Sequence, residues 1–132
     1  MHRLFGTSFL VVAAMFCLLT AWSSGFAPQQ FAHRLGLTVT SPDGYNEIRA
    51  QYAGFFLAGA VMCIAALASR ALRPAVFVLL SVTFGGLLAG RLASLVLNGG
   101  LTGFGPTIRA LYIIDAIGFA LSITAINVDR EV

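Results

Sequence analysis

The most constraining feature of this sequence is its four long apolar runs, at about 4–24, 46–69, 74–97 and 107–127. Each is close to the roughly 20 residues a helix needs to cross a bilayer. None shows the strict alternation of a barrel strand. Within hydrocarbon only helices and closed barrels satisfy their own backbone hydrogen bonds, so the runs read as spanning helices. Composition agrees: 58% of residues are hydrophobic, 10% are charged, and mean hydropathy is +0.89. A soluble domain carries about 25% charged residues. The expected fold is all-α, an integral membrane bundle of four transmembrane helices, with residues 1–132 forming a single domain.

The first run follows His2 and Arg3 and is followed by Gly25-Phe26-Ala27, which superficially resembles a signal peptide with its cleavage site. Its apolar stretch exceeds the roughly 7–15 residues of a signal core, so retention as a spanning helix is expected. Arg3 and the turn Arg70-Ala71-Leu72-Arg73-Pro74 place the N-terminus and that turn in the cytoplasm by the positive-inside rule. The neutral Asp129-Arg130-Glu131 end would then also be cytoplasmic. The expected topology is N-in/C-in, in a bacterial inner membrane.

Connections carry their own signals. Between the first two runs, Phe26, Gln29, Gln30, Phe31, Arg34 and Leu35 fit one or two turns of an interfacial helix. Ser41 before Pro42, or Asp43, is a candidate N-cap for the second spanning helix. The glycine-rich segment from Asn98 to Pro106 lacks the Gly-Lys-Ser/Thr ending of a phosphate loop and reads as a turn. Small residues at Gly54-x-x-x-Ala58, Gly85-x-x-x-Ala89 and Gly86-x-x-x-Gly90 suggest close helix packing.

The eight arginines are scattered singly and form no basic stripe, which excludes nucleic acid as a partner. Cys17 and Cys63 fall at different depths of their helices, and both read as buried free thiols. His2 and His33 lie outside the spans, without a His-Glu-x-x-His or Cys-x-x-Cys pattern, so neither a metal nor another cofactor is expected. No serine sits in a recognisable hydrolase motif.

The polar residues that do enter the spans are costly there, and so mark a site. If the helices alternate in direction, Arg49 and Tyr52 lie about 5 and 9 Å below the outer end of the second helix, Arg91 about 9 Å and Asp115 about 12 Å, at a rise of 1.5 Å per residue. Glu47 is nearer the mouth. Tyr45, Arg49 and Tyr52 share one face by their spacing, and Glu47 and Gln51 share another. On the fourth helix Tyr112 lies one turn from Asp115. Glu47, Arg49, Gln51, Tyr52, Arg91, Tyr112 and Asp115 are therefore the candidate site. The expected pairing is Arg91 with Asp115, leaving Arg49 for Glu47, Asp115 or a bound anion. The layer is either a lock between helices or a pocket for a polar head group; Arg109, at the boundary, reads as snorkelling to head groups.

In Asn-Glu-Ile-Arg-Ala-Gln-Tyr-Ala-Gly-Phe-Phe (46–56), together with Gly90-Arg91-Leu92 in the stretch Gly86–Ser94, the chain resembles a bacterial family of small four-helix membrane proteins known only as a domain of unknown function. Some members of that family carry the label phage infection protein. The resemblance implies the fold and the membrane location but no activity. It places Glu47, Arg49, Tyr52 and Arg91 at motif positions, and the family often has Glu where Asp115 stands.

The functional reading is a small, non-enzymatic membrane protein whose outer polar layer binds a lipid head group, a small solute or a partner protein. The alternatives are a small membrane enzyme or redox accessory acting on a lipid or quinone-like substrate, with Asp115, Tyr52 and the arginines as its acid–base and anchoring groups, or a transporter subunit. The lipid bilayer is the expected partner throughout, and association into a homo-oligomer is compatible with the small-residue faces.

Overall fold

The computed structural model describes residues 2–130. Met1, Glu131, Val132 and the side chains of His2, Arg3 and Arg130 lie outside the described set, and with them part of the charge pattern that orients the chain. The chain is all-α. Its elements are α1 (His2–Phe26), α2 (Pro28–Arg34), α3 (Pro42–Ile48), a π-helix (Arg49–Gly54), α4 (Phe55–Ala68), a 3₁₀ turn (Arg70–Leu72), α5 (Arg73–Leu97) and α6 (Pro106–Arg130). Among the described residues, four helices are long and apolar enough to cross a membrane: Leu4–Phe26, Pro42–Ala68, Arg70–Leu97 and Pro106–Asp129. The second of them joins α3, the π-helix and α4 end to end.

The helix ends follow from local chemistry. Ser41 caps α3, its Oγ accepting the Gly44 N–H at 3.1 Å, so the second span begins a turn earlier than its apolar run. Pro74 and Pro106 occupy first-turn positions of α5 and α6, where a missing N–H costs nothing. At the end of α5 the Gly99 N–H bonds Val96 O and the Gly100 N–H bonds Leu95 O, both at 3.1 Å. Gly99 takes φ +70°, the left-handed conformation that this closure demands. The Asn98 side chain then holds the loop, donating from Nδ2 to Gly100 O at 3.1 Å and to Thr102 O at 3.0 Å.

Hydroxyls inside the helices bond to carbonyls of their own helix. Ser24 donates to Thr20 O, and Ser122 to Gly118 O, both at 2.6 Å. This removes two polar groups from competition in an apolar medium. Among the described residues, no buried side-chain nitrogen or oxygen lacks a partner.

The chain divides into two compact units. One takes in α1 as far as Phe9 together with the chain from Ala71 onward; the other spans Leu10–Arg70. In the first unit α5 packs on α6 by setting rings against glycines. A Cβ at Gly118 would come within 2.6 Å of the Phe84 ring, and one at Gly85 within 2.9 Å of the Phe119 ring. Phe77 stacks on Phe9 with ring centroids 6.2 Å apart, above the open flank of Gly6. Arg73 reaches Thr7 at 3.1 Å. In the second unit Phe16 meets Phe56 edge-on at 6.0 Å, and the Cys17 sulfur lies over Gly59, 3.4 Å from where a Cβ would be. Cys17 and Cys63 are both buried free thiols.

Not every small-residue spacing becomes a contact. Gly85 is used, but a Cβ at Gly86 or Gly90 would meet nothing within 4 Å, and Gly54 and Ala58 are exposed. The α5–α6 contact forms through bulky rings filling glycine notches, a different solution from two backbones touching along a glycine seam. Gly118→Ala and Gly86→Ala should therefore have opposite consequences in detergent unfolding. The first drives a methyl into the base of the Phe84 ring and should cost about 1–3 kcal/mol. The second fills empty space, and helix propensity favours it by roughly 0.5–1 kcal/mol. Equal effects would contradict this packing.

Candidate functional site

Three of the seven candidate residues meet in the α5–α6 hairpin. Arg91 Nε donates to Asp115 Oδ2 at 2.5 Å. The Asp115 side chain is 2% exposed and that of Arg91 22%. Helix phase sets the pair: Arg91 lies near the end of α5 and Asp115 in the first half of α6, and the antiparallel return of a short loop brings those depths together. Tyr112, one turn before Asp115, donates its hydroxyl to the Arg91 carbonyl at 2.7 Å. The same helix pair is thus closed twice, once through the guanidinium and once through the backbone of the same residue. The Phe104 ring, in the loop, lies against Tyr112 with centroids 6.2 Å apart. Arg109 sits at the loop edge and donates to Leu101 O at 3.4 Å.

The other four candidates lie in the unit spanning Leu10–Arg70. Within it the Asn-Glu-Ile-Arg-Ala-Gln-Tyr-Ala-Gly stretch turns from α to π geometry at Arg49. The Phe55 N–H reaches back to the Ala50 carbonyl, an i→i+5 bond that makes the turn wider than an α turn. The side of this segment that meets α1 and α2 carries Ile48, Tyr52 and Ala53, with Arg49, itself exposed, at its edge. Ile48 is buried. Arg49 Nε donates at 3.3 Å to the carbonyl of Gly25, in the last turn of α1. A Cβ at Gly25 would lie 3.4 Å from the Ala53 Cβ. The Tyr52 ring meets Phe31 of α2 edge-on, with centroids 4.9 Å apart. Glu47 and Gln51 are exposed, and among the described residues neither side chain has a partner.

Arg49 consequently does one job visibly. The last carbonyls of α1 have no intrahelical donors, and they form the negative end of that helix's dipole. A guanidinium there supplies both a donor and a compensating charge. Two features of this half had no sequence signal of their own: the π geometry and the Gly25 carbonyl as the partner of Arg49. Phe31 was visible as the aromatic of a short interfacial helix, though its contact with Tyr52 was not.

The two clusters differ in chemistry. Arg91 is paired with a carboxylate, whereas among the described residues the Arg49 guanidinium bonds only the Gly25 carbonyl. Among the described residues, no group of three or more His, Cys, Asp or Glu is placed to hold a metal ion.

Four apolar membrane-length helices with paired polar groups inside them define an integral, multi-pass membrane protein. The chain belongs to the family described as Domain of unknown function (DUF4345), whose match covers residues 6–113. That range takes in both clusters except Asp115, two residues beyond its end. No curated protein and no solved structure matches the chain.

Removing one partner of the hairpin pair should be costly. Arg91→Ala leaves a carboxylate buried without its cation and should lower stability by about 3–5 kcal/mol. Tyr112→Phe removes one interhelical hydrogen bond and should cost only about 0.6 kcal/mol, the average for such bonds in a membrane bundle. Unfolding of the purified variants in mixed micelles checks both. Similar losses for the two would show that Arg91 and Asp115 do not form the dominant link.

Proposed function

We propose that this protein is a non-enzymatic membrane protein that recognises a polar head group through the Glu47–Tyr52 segment, while the Arg91–Tyr112–Asp115 cluster holds the α5–α6 hairpin together. The observation that carries this reading is the contrast in pairing. Asp115 is buried against its cation, while Arg49 spends one of its five N–H donors on a carbonyl at 3.3 Å and remains exposed, as Glu47 and Gln51 are on the neighbouring face. Closed charges fix helices to one another, and open charges at the entry of a span are available to something else. The site lies at the end of the spanning helix where head groups are, and in the N-in/C-in topology this is the outer leaflet of a bacterial inner membrane. A solute or a partner protein with the same polar chemistry would use the same face.

The π-helix supports this reading. Its wide turn is costly in a regular helix and is found frequently at functional sites. Here it lies directly after Asn46 and Glu47 and carries Arg49 and Gln51, a run of ionisable and amide side chains entering a span.

Native mass spectrometry of the protein extracted with its lipids tests the proposal. Arg49→Gln should lose most of the retained phospholipid while its thermal midpoint in detergent stays within a few degrees of wild type, since a capping hydrogen bond contributes only about 1 kcal/mol. Unchanged lipid retention in Arg49→Gln and in Glu47→Gln would remove the head-group reading and leave a purely structural segment.

A further inference from the structure

The proposed head-group site can be given a ligand chemistry and a consequence, both resting on that reading. We infer that Arg49 is an anchor for a phosphate group, and that binding it exchanges the Gly25 carbonyl for the anion and loosens the joint between α1 and α2.

The exchange follows from the strength of what Arg49 now makes. A bond of 3.3 Å between exposed groups is at the long end of the useful range. Its acceptor is a neutral carbonyl. A phosphate offers the guanidinium fork two parallel charge-assisted bonds, each roughly twice as strong as a neutral one. Among the described residues no carboxylate is bonded to Arg49, so an incoming anion has no ion pair there to displace. Glu47, two residues away, is turned from it, because positions two apart on a helix do not face one another. The short helix α2, which packs against α3 and sets Phe31 on Tyr52, ends in an exposed arginine, Arg34.

The consequence follows from where Gly25 sits. It lies in the last turn of α1, and Ala27 beyond it leaves helical geometry, with φ −130° and ψ 57°, before α2 begins. Three contacts tie this joint to the π-helix: Arg49 on the Gly25 carbonyl, Ala53 against Gly25, and Tyr52 against Phe31. Arg49 makes the only hydrogen bond of the three. Taking it away leaves the Gly25 carbonyl without that donor and the joint tied to the π-helix by apolar contact alone, with the Ala27 N–H still closing on Ser23 O at 3.1 Å.

The close approach at Gly25 supplies the readout. With a Cβ–Cβ separation of 3.4 Å at Gly25 and Ala53, a cysteine pair there is close to the roughly 3.5–4.5 Å at which disulfides form. Gly25→Cys/Ala53→Cys in a Cys17→Ala/Cys63→Ala background is placed in nanodiscs, and disulfide formation is followed under a mild oxidant. Three conditions are compared: digalactosyldiacylglycerol alone, which carries no phosphate, digalactosyldiacylglycerol with phosphatidylglycerol, and digalactosyldiacylglycerol with inorganic phosphate. The expected result is disulfide formation about fivefold slower with phosphatidylglycerol present than with the galactolipid alone. Slowing by inorganic phosphate as well identifies a soluble phosphate as a sufficient ligand; slowing by phosphatidylglycerol alone identifies the lipid. Adding Arg49→Gln should make the rate independent of lipid and Arg49→Lys should keep the dependence in part, with circular dichroism confirming helix content in each.

Equal rates in all three conditions, or a lipid dependence that survives Arg49→Gln, overturn the inference, as does failure of the pair to cross-link at all. Phospholipid retention that depends on Arg49, combined with a lipid-independent cross-linking rate, would leave the head-group reading standing and remove only the coupling. Loss of both would remove the site.

Discussion

A carboxylate carried into a bilayer can stay there only if something cancels it, and in this protein that requirement falls on Asp115. Insertion of such a group costs roughly 2.5–3.5 kcal/mol on translocon scales. Arg91 meets the cost with a direct ion pair at 2.5 Å, and its own backbone carbonyl is then taken by Tyr112. The pair can form only if α5 and α6 run antiparallel with a short, well-defined return. The glycine closure after α5 and the Asn98 bonds across the loop belong to the same requirement. So do the notches at Gly85 and Gly118, which let Phe119 and Phe84 come close enough for the two helices to register. Packing alone would permit sliding along such a seam. A charge pair at one level does not.

The other unit solves the opposite problem. Its polar groups are gathered at one end of a span, where Arg49 attends to the open end of α1 and leaves most of its donors unused. The π geometry directs Arg49, Tyr52 and Ala53 together toward α1 and α2, with Glu47 and Gln51 left exposed. A fold that needed these residues only for cohesion would bury them in pairs, as it does Asp115. Exposure beside a weak cap is the arrangement expected of groups that change partners.

The helices were legible because lipid leaves the chain so little choice: four apolar runs of sufficient length had to become helices, and the family match over residues 6–113 shows that the chain shares its domain type with other proteins. Ser41 and Pro106 announced their helix starts through chemistry that acts over only a few residues. The π-helix was not legible, since an extra residue in a turn is stabilised by what the turn faces, here Gly25 and Phe31 from more than twenty residues away. The glycine spacings were misleading for a related reason. Gly86 and Gly90 have the form of a packing motif, but the neighbouring Gly85 is the one that receives a ring. Depth counting identified the candidate residues without revealing that three of them are closed on one another and two are open. That difference depends on side-chain reach and rotation, which a residue count does not carry.

In the proposed account the two clusters do different work, one holding helices together and one meeting a ligand. The most direct test is the amount of phospholipid bound per protein, measured in the Arg91→Gln/Asp115→Asn double variant. This change removes both charges of the hairpin pair at once, so no unpaired charge remains to unfold it. The account predicts a folded protein that retains its phospholipid as wild type does. A folded double variant that has lost its phospholipid would place Arg91 and Asp115 in the binding site itself and contradict the division of labour.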